Sequence, residues 1–335
     1  MNKSKKIAVA LVLSGLIQAC GGSSSSDAKK EATEQISTAV VHHIAPAKVA
    51  EYIEKYKQQI ADVEFQFEGK KYELTFWDFG PEQKSIIARY DAGAGFVTFG
   101  FDMDKESPIA NISVRHPSIA QELVSATDAI KISSAGDNYV YDGQVENKST
   151  GGLHNVRLVI NESFLSAGNS TLEIGGSEAV LNGTLGTKTY VQISEMIANN
   201  PEVKKLFLLN IDGSINDAIN MHTGRLIRQA QLTTNIGENG DVNSGGVDLF
   251  AAGFKREYTT GGKVGVHAWC CENGKSAHLL KKSDPAHGAQ LTYFREMLGN
   301  ELGPDFYFFT INAAPAESIH VMTQAELDKY LLVKN

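Results

Sequence analysis

The sequence predicts an α/β protein in which a β-rich module precedes a domain of alternating strands and helices. From Val63 to about Ile174, short alternating apolar runs are separated by Gly, Asn and Asp, the pattern of half-buried strands. From Ala179 onward, apolar runs of strand length alternate with segments of helical spacing, which is typical of α/β architecture. This second zone of about 155 residues is long enough to bury its own core.

The composition excludes several kinds of partner. The chain has 335 residues, with 31 Lys and Arg against 39 Asp and Glu, and a formal net charge of -8. This charge repels nucleic-acid phosphates, so we expect no nucleic-acid partner. The cysteines Cys20, Cys270 and Cys271 form no CxxC pair, so the sequence predicts no metal site, and no motif indicates a cofactor.

The N-terminal segment has the pattern of a signal peptide. Three lysines among the first six residues precede the apolar run Ile7–Ala19, which is too short to span a bilayer. The sequence Ile17–Cys20 resembles the lipobox of bacterial lipoproteins. That resemblance implies cleavage before Cys20, acylation of its sulfur and a lipid anchor in the cell envelope, with the protein facing the periplasm or exterior. The alternative is an ordinary signal peptide with an incidental Cys.

The elements that follow are predicted in chain order. Residues 20–30 form a Gly- and Ser-rich tether, and an amphipathic helix is indicated by the apolar positions Val49, Tyr52, Ile53, Tyr56 and Ile60. The β-rich zone follows, so that residues 31–175 form an accessory domain and residues 176–335 an α/β domain. In the latter we expect strands at Ala179–Leu185, Lys205–Asn210 and Leu232–Ile236, and helices at Thr189–Asn199 and Ile215–Gln231.

Three junctions in the α/β domain are candidates for chemistry. The turn at Gly213 lies between a strand and a helix, where free backbone N–H groups can stabilise negative charge. Ser244 precedes the apolar helix Val247–Gly253, as a nucleophile or simply as an N-cap. A β-hairpin around Gly261 and Gly262 would bring His267 to the end of the sheet, as a base or as a structural residue.

Taken together, these segments resemble a known family. The ordered motifs are Asn182–Leu185, Asp212–Ala218, Ser244–Gly253 with Arg256, Gly265–Trp269, and Met322–Leu327 with Tyr330. Residues from about Val180 to Leu332 resemble the ClpP/crotonase superfamily of serine hydrolases, particularly its periplasmic ClpP-like branch. The resemblance implies a ββα spiral fold for the C-terminal domain and nothing for the accessory module.

The resemblance also implies a mechanism and a substrate class. Ser244 would attack an acyl carbonyl, His267 would act as the base, and the N–H groups of Gly213 and Gly245 would hold the oxyanion. Glu317 is the acid near the position that the family uses to orient the His. Peptidase, esterase and thioesterase activities stay open, and so does a catalytically inactive module that binds a partner. Homo-oligomers are common among relatives.

Several other residues are open to two interpretations. Clp peptidases usually have two Gly in the substrate-binding turn, whereas here Asp212 precedes Gly213, which weighs against peptide binding along that turn. Cys270 and Cys271 form either a vicinal disulfide or two thiols. Ser276, His278 and His287 are interpreted as rim or structural residues.

Overall fold

A computed structural model describes residues 36–74, 76–79, 85–91, 93–100, 111–126 and 131–332. The expected signal peptide 1–19, the lipidation site Cys20 and the tether 20–30 lie outside these residues. Within the described ranges, no helix is long and apolar enough to cross a membrane.

The helix predicted from the apolar spacing is confirmed as α1 (Val49–Ala61). Its buried side chains are Val49, Ile53 and Tyr56, which lie on one face because they are three or four residues apart. The hydroxyl of Tyr52 on this helix accepts a hydrogen bond of 2.8 Å from Nδ2 of Asn216, far along the chain. The N-terminal helix therefore contacts the loop that follows Gly213.

The β-rich module forms an antiparallel sheet, ten-stranded as far as the structure describes it, in the order β2-β1-β10-β9-β7-β6-β5-β4-β3 with β8 also paired to β9. Its strands are β1 (Glu64–Phe67), β2 (Lys70–Tyr72), β3 (Phe76–Phe79), β4 (Ser85–Tyr90), β5 (Gly95–Gly100), β6 (Asn111–Arg115), β7 (Leu123–Ser125), β8 (Lys131–Ala135), β9 (Asn138–Asn147) and β10 (Gly152–Asn161). The short helix α2 (Glu162–Leu165) follows, and Phe164 packs on Trp77 of β3.

The remaining strands form two smaller sheets in the described part of the chain, ordered β11-β12-β13-β15-β17 and β14-β16-β18-β19. These strands are β11 (Thr171–Gly175), β12 (Glu178–Asn182), β13 (Lys205–Leu208), β14 (Asn210–Ile211), β15 (Thr233–Ile236), β16 (Asp241–Asn243), β17 (Lys255–Tyr258), β18 (Lys263–Val266) and β19 (His320–Val321). The helices are α3 (Thr187–Asn199), α4 (Asp217–Gln229), α5 (Gly245–Ala252), α6 (Gly288–Leu298), α7 (Leu302–Ala313) and α8 (Gln324–Tyr330).

A repeated strand–strand–helix unit connects the two sheets. In each of β13-β14, β15-β16 and β17-β18, the first strand enters the five-stranded sheet and the second enters the four-stranded one. The first strands pair in parallel with one another, and so do the second strands. The predicted α/β alternation is confirmed, and each repeated unit adds one strand to each of the two sheets.

The predicted hairpin between residues 255–259 and 263–267 is wrong. Strand β17 pairs in parallel with β15, whereas β18 pairs in parallel with β16, so the two segments belong to different sheets. Gly261, at φ +112°, lies in the connection between them. The Gly-Gly pair therefore turns the chain from one sheet to the other.

Helix α5 is anchored at its C-terminal end by two arginines. Arg228 Nη2 donates hydrogen bonds to the carbonyls of Ala251 and Met297, at 3.1 and 2.6 Å. Arg256 Nη1 donates to the carbonyl of Ala251 as well, while its Nε donates to that of Leu331. Burial lowers the pKa of Arg256 to about 10, so the side chain is still a cation at neutral pH. Both cations thus satisfy carbonyls at the negative end of the helix dipole.

Replacing Arg256 should destabilise the fold around α5. An Arg256→Met variant would leave the carbonyls of Ala251, Gly253 and Leu331 without this donor. We expect a loss of about 2–4 kcal/mol in the free energy of unfolding, measured by urea denaturation. Lys255→Met, at an exposed neighbouring position, should change it by less than about 0.5 kcal/mol. Equal losses in both variants would contradict the anchoring role.

Candidate active site

The reactive groups lie at the carboxyl ends of three neighbouring strands. In the second sheet, β14, β16 and β18 run parallel, with Ile211 opposite Val242 and Val242 opposite Val264. Beyond these aligned positions the chain continues to Gly213, Ser244 and His267. Because adjacent strands in a sheet are about 4.8 Å apart, Ser244 lies between the Gly213 turn and the end of the His267 strand.

Ser244 occupies the sharp turn between β16 and α5. Its backbone has φ +52° and ψ -123°, a conformation that residues other than Gly seldom adopt. The turn is held because the N–H of Ser244 donates to the carbonyl of Gly265, at 2.9 Å. Strained backbone of this kind is concentrated at functional sites.

Two glycines let the neighbouring backbone approach Ser244. A Cβ on Gly213 would lie 3.1 Å from the Ser244 Cβ, and Gly213 has φ +148°. A Cβ on Gly245 would lie 2.5 Å from the Ser214 Cβ, which is too close for any side chain. Both positions therefore require Gly, and the backbones of the two turns pack directly against each other.

The same two glycines carry free backbone donors. Among the described residues, neither the Gly213 N–H nor the Gly245 N–H donates a hydrogen bond. Gly245 is the first residue of α5, so its N–H belongs to the unsatisfied first turn, at the positive end of the helix dipole. Two donors beside a serine hydroxyl suit the stabilisation of an oxyanion.

His267 lines the same pocket as Ser244 and Gly245. Its Nδ1 is buried and has no hydrogen-bond partner, and no hydrogen bond joins the ring to Ser244 in the structure as described. Glu317 is exposed in the turn that precedes β19 and does not line the pocket. The structure thus brings Ser244, Gly213, Gly245 and His267 together and leaves Glu317 apart.

Two acids that the sequence analysis missed line this pocket. Asp217 is the first residue of α4, and Asp248 lies one helical turn after Ser244 on α5. Every other residue of α5 is buried and is either Gly or apolar, so Asp248 has the one polar side chain of that helix. The i,i+4 spacing from Ser244 to Asp248 was a readable signal, because residues four apart share a helix face.

The environment raises the pKa of both acids. Burial raises the pKa of Asp217 to about 6, against a smaller opposing effect of its hydrogen bond with Ser214. The Asp217 residue as a whole is nevertheless solvent-exposed at the start of α4, where it lines the pocket. Burial, followed by repulsion from Asp217, raises the pKa of Asp248 well above its usual range. The two carboxyl groups therefore resist carrying two full charges.

The remaining pocket wall is apolar and aromatic. The space beside Ser244 amounts to about 540 Å³ with its open mouth included, and Met221, Phe294 and Ile311 are among the residues that line it. Trp269 and Tyr307 belong to this wall, and Trp269 Nε1 donates to the hydroxyl of Tyr307, at 2.9 Å. Tyr307 is also 2.6 Å from Nδ1 of the fully buried His287, which is therefore structural rather than a rim residue.

The other candidates lie around this wall. The structure joins Cys270 and Cys271 in a disulfide, three and four residues after His267. Ser276 Oγ is 3.0 Å from His278 Nδ1, and neither residue lines the pocket. Across the described ranges, no group of three or more His, Cys, Asp or Glu is arranged to hold a metal ion.

Comparison with solved structures gives partial matches. A candidate enoyl-CoA hydratase from Streptomyces avermitilis is 11% identical, covers 49% of this chain and 66% of its own, and has a TM-score of 0.32. A membrane-bound stomatin-specific protease, solved as a mutant with a substrate peptide, is 18% identical over 46% and 71%, with a TM-score of 0.34. An enoyl-CoA hydratase/isomerase from Marinobacter aquaeolei is 12% identical over 49% and 68%, with a TM-score of 0.32.

The chain thus spans about two thirds of the length of these neighbours, and less than two thirds of the first. No family model matches the sequence, and no curated protein matches it.

The raised pKa of Asp217 predicts a pH-dependent effect on stability. The unfolded state ionises this carboxyl above about pH 4, whereas the folded state holds the proton up to about pH 6, so stability falls as pH rises between these values. We expect the free energy of unfolding of Asp217→Asn, relative to that of wild type, to be higher at pH 8 than at pH 4.

Urea unfolding at the two pH values measures this difference. Asp305→Asn, which removes an exposed acid from α7, is the matched control and should show no such change. A stability difference between Asp217→Asn and wild type that is the same at pH 4 and pH 8 would contradict the raised pKa of this carboxyl.

Proposed function

We propose that this protein is a serine hydrolase of the ClpP/crotonase superfamily that acts on acyl substrates in the bacterial cell envelope. One observation carries the proposal: Ser244, on strained backbone, lies between two free N–H groups and a pocket shared with His267. A nucleophile, oxyanion donors and a base are the parts that acyl transfer requires.

The reaction follows from these positions. A substrate carbonyl lies against Ser244 with its oxygen toward the N–H groups of Gly213 and Gly245. Ser244 Oγ attacks the carbonyl carbon while His267 takes the hydroxyl proton, and the resulting oxyanion accepts hydrogen bonds from both N–H groups. His267 then gives its proton to the leaving group, and an acyl-enzyme forms. Water, activated by His267, attacks the acyl-enzyme and regenerates Ser244.

The proposal has to account for the missing hydrogen bond between Ser244 and His267. Catalytic hydrogen bonds are often unformed without substrate and tighten in the complex. Among the described residues, Nδ1 of His267 has no hydrogen-bond partner, so the relay is proposed as a Ser-His dyad without an orienting acid. A role for Glu317 stays a prediction, which would require the turn before β19 to move.

A second candidate is a catalytically silent binding module. The missing Ser244–His267 hydrogen bond and the unpartnered His267 Nδ1 favour this alternative. The pocket would then hold an acyl or peptide group without cleaving it. Within the hydrolase proposal, peptide, ester and thioester substrates are all compatible with the N–H pair, since each has a carbonyl oxygen that becomes an oxyanion.

A fluorophosphonate probe separates these candidates. We expect covalent labelling of the folded chain at Ser244, its loss in Ser244→Ala, and a rate at least about 100-fold lower in His267→Ala. Ser276→Ala is the matched control, because Ser276 pairs with His278 outside the pocket and its loss should leave labelling unchanged. Absence of labelling in well-folded protein would exclude the hydrolase and favour the binding module.

We also propose that Cys20 carries a lipid that holds the protein at the membrane. The support is the lysine-rich start, the short apolar run and the small residue before Cys20. The full chain expressed in a bacterium should partition into the detergent phase of Triton X-114 and incorporate an alkyne fatty acid, whereas Cys20→Ser should do neither. Cys270→Ser is the control and should behave as wild type. Fatty-acid incorporation that survives Cys20→Ser would contradict the assignment.

A further inference from the structure

The two free N–H groups beside Ser244 come from different segments of the chain. Gly213 lies in the turn that leads into α4, whereas Gly245 is the first residue of α5. Both groups can bond one oxyanion only if their nitrogens are held at a fixed distance, because such donors act from about 2.7 to 3.1 Å away. The contact between the start of α4 and the start of α5 therefore sets the geometry of this N–H pair.

Asn220 links the starts of these two helices. Its Nδ2 donates a hydrogen bond of 2.9 Å to the carbonyl of Gly245. A Cβ on Gly245 would lie 2.9 Å from the same nitrogen, so the amide group packs directly against this glycine. The backbone N–H of Asn220 donates to the carbonyl of Asn216, at 3.0 Å, which places Asn220 in the first turn of α4. One residue thus joins the segment after Gly213 to the residue that carries the second N–H group.

The hydrogen bonds of Ser244 do not provide this link. Its N–H donates to the carbonyl of Gly265, at 2.9 Å, and its carbonyl accepts from the N–H of Val247, at 2.8 Å. These bonds orient the peptide before Gly245 relative to β18 and to α5, and neither of them involves α4. Asn220 supplies the bond on that side.

The surroundings of Asn220 are unfavourable for an amide. The residue is 1% exposed, and its neighbours Ile219 and Met221 are buried apolar residues. Its Oδ1 is buried and has no hydrogen-bond partner within the described ranges. A buried acceptor without a partner costs free energy that a leucine of similar size would not. The chain carries this cost at a residue whose amide nitrogen serves Gly245.

We propose that Asn220 is a positioning residue that fixes the distance between the N–H groups of Gly213 and Gly245. This inference rests on the proposed function, in which that pair forms the oxyanion hole. Asn220 does not line the pocket, so it acts through Gly245 and makes no contact with the substrate. Its loss should therefore slow the steps in which an oxyanion develops and leave substrate binding nearly unchanged.

The variant Asn220→Leu removes the donor and keeps a side chain of similar size. We expect its kcat with p-nitrophenyl butyrate to fall at least about tenfold, and its KM to stay within about threefold of wild type. The rate of fluorophosphonate labelling at Ser244 should fall by a similar factor.

Thr223→Val is the matched control. Thr223 is also fully buried on α4, but its hydroxyl donates to the carbonyl of Ile219 within the same helix, at 3.2 Å. This variant should keep the wild-type kcat and labelling rate. An unchanged kcat in Asn220→Leu, or equal losses in it and in the control, would overturn the inference. Asn220→Ser, which is too short to reach the Gly245 carbonyl, provides the same comparison if the leucine variant folds poorly.

Crystal structures of wild type and Asn220→Leu test the geometry without any activity. We expect the distance between the backbone nitrogens of Gly213 and Gly245 to differ by at least about 0.5 Å between the two, and to be unchanged in Thr223→Val. The same distance in all three chains would overturn the positioning role. If wild type is neither labelled by fluorophosphonate nor cleaves the ester, the hydrolase is rejected, and these structures still decide the role of Asn220.

Discussion

Parallel pairing of β14, β16 and β18 is the constraint on which the candidate site depends. These strands are two to four residues long, too short to be stable alone, and their aligned residues Ile211, Val242 and Val264 are at most 1% exposed. Their register therefore depends on the helices and the five-stranded sheet that bury them. A shift of one residue in a strand would turn these apolar groups away from the core, so the register is strongly specified. Once this register is set, the residues that follow the carboxyl ends of the three strands, Gly213, Ser244 and His267, come close together.

The surrounding elements hold this arrangement from two directions. Helix α5 begins at Gly245, whose N–H is free, and it ends at the Ala251 carbonyl, to which both Arg228 and Arg256 donate hydrogen bonds. The negative end of its dipole is therefore complemented by two cations. Asn216, between Gly213 and α4, donates to Tyr52 of α1 and to Thr187 of α3. The loop that supplies one proposed oxyanion donor is thereby tied to the N-terminal helix. Two features of the site are energetically unfavourable. The backbone of Ser244 is strained, and repulsion from Asp217 contributes to the raised pKa of Asp248.

Much of the fold could be predicted because its signals are local. The stripe from Val49 to Tyr56 identifies α1, and the alternation after Ala179 identifies the α/β domain, since periodicity reflects burial on one face. The hairpin prediction failed because Gly261 and Gly262 signal a turn without naming the strands that pair beside it. Ser244, Gly213 and His267 lie at strand ends, which sequence can locate. Asp217 was missed because its place at the pocket depends on how α4 packs against α5, whereas Asp248 could have been found from its spacing to Ser244. Glu317 was chosen by chain position although its turn faces solvent.

The central claim is that Ser244 lies between its oxyanion donors and His267, ready for acyl transfer. A crystal structure of the fluorophosphonate adduct tests this most directly. The account predicts a bond from phosphorus to Ser244 Oγ, a phosphoryl oxygen about 2.7–3.1 Å from the backbone nitrogens of Gly213 and Gly245, and His267 turned within hydrogen-bond reach of Oγ. An adduct on another residue, or a phosphoryl oxygen directed away from both N–H groups, would contradict it.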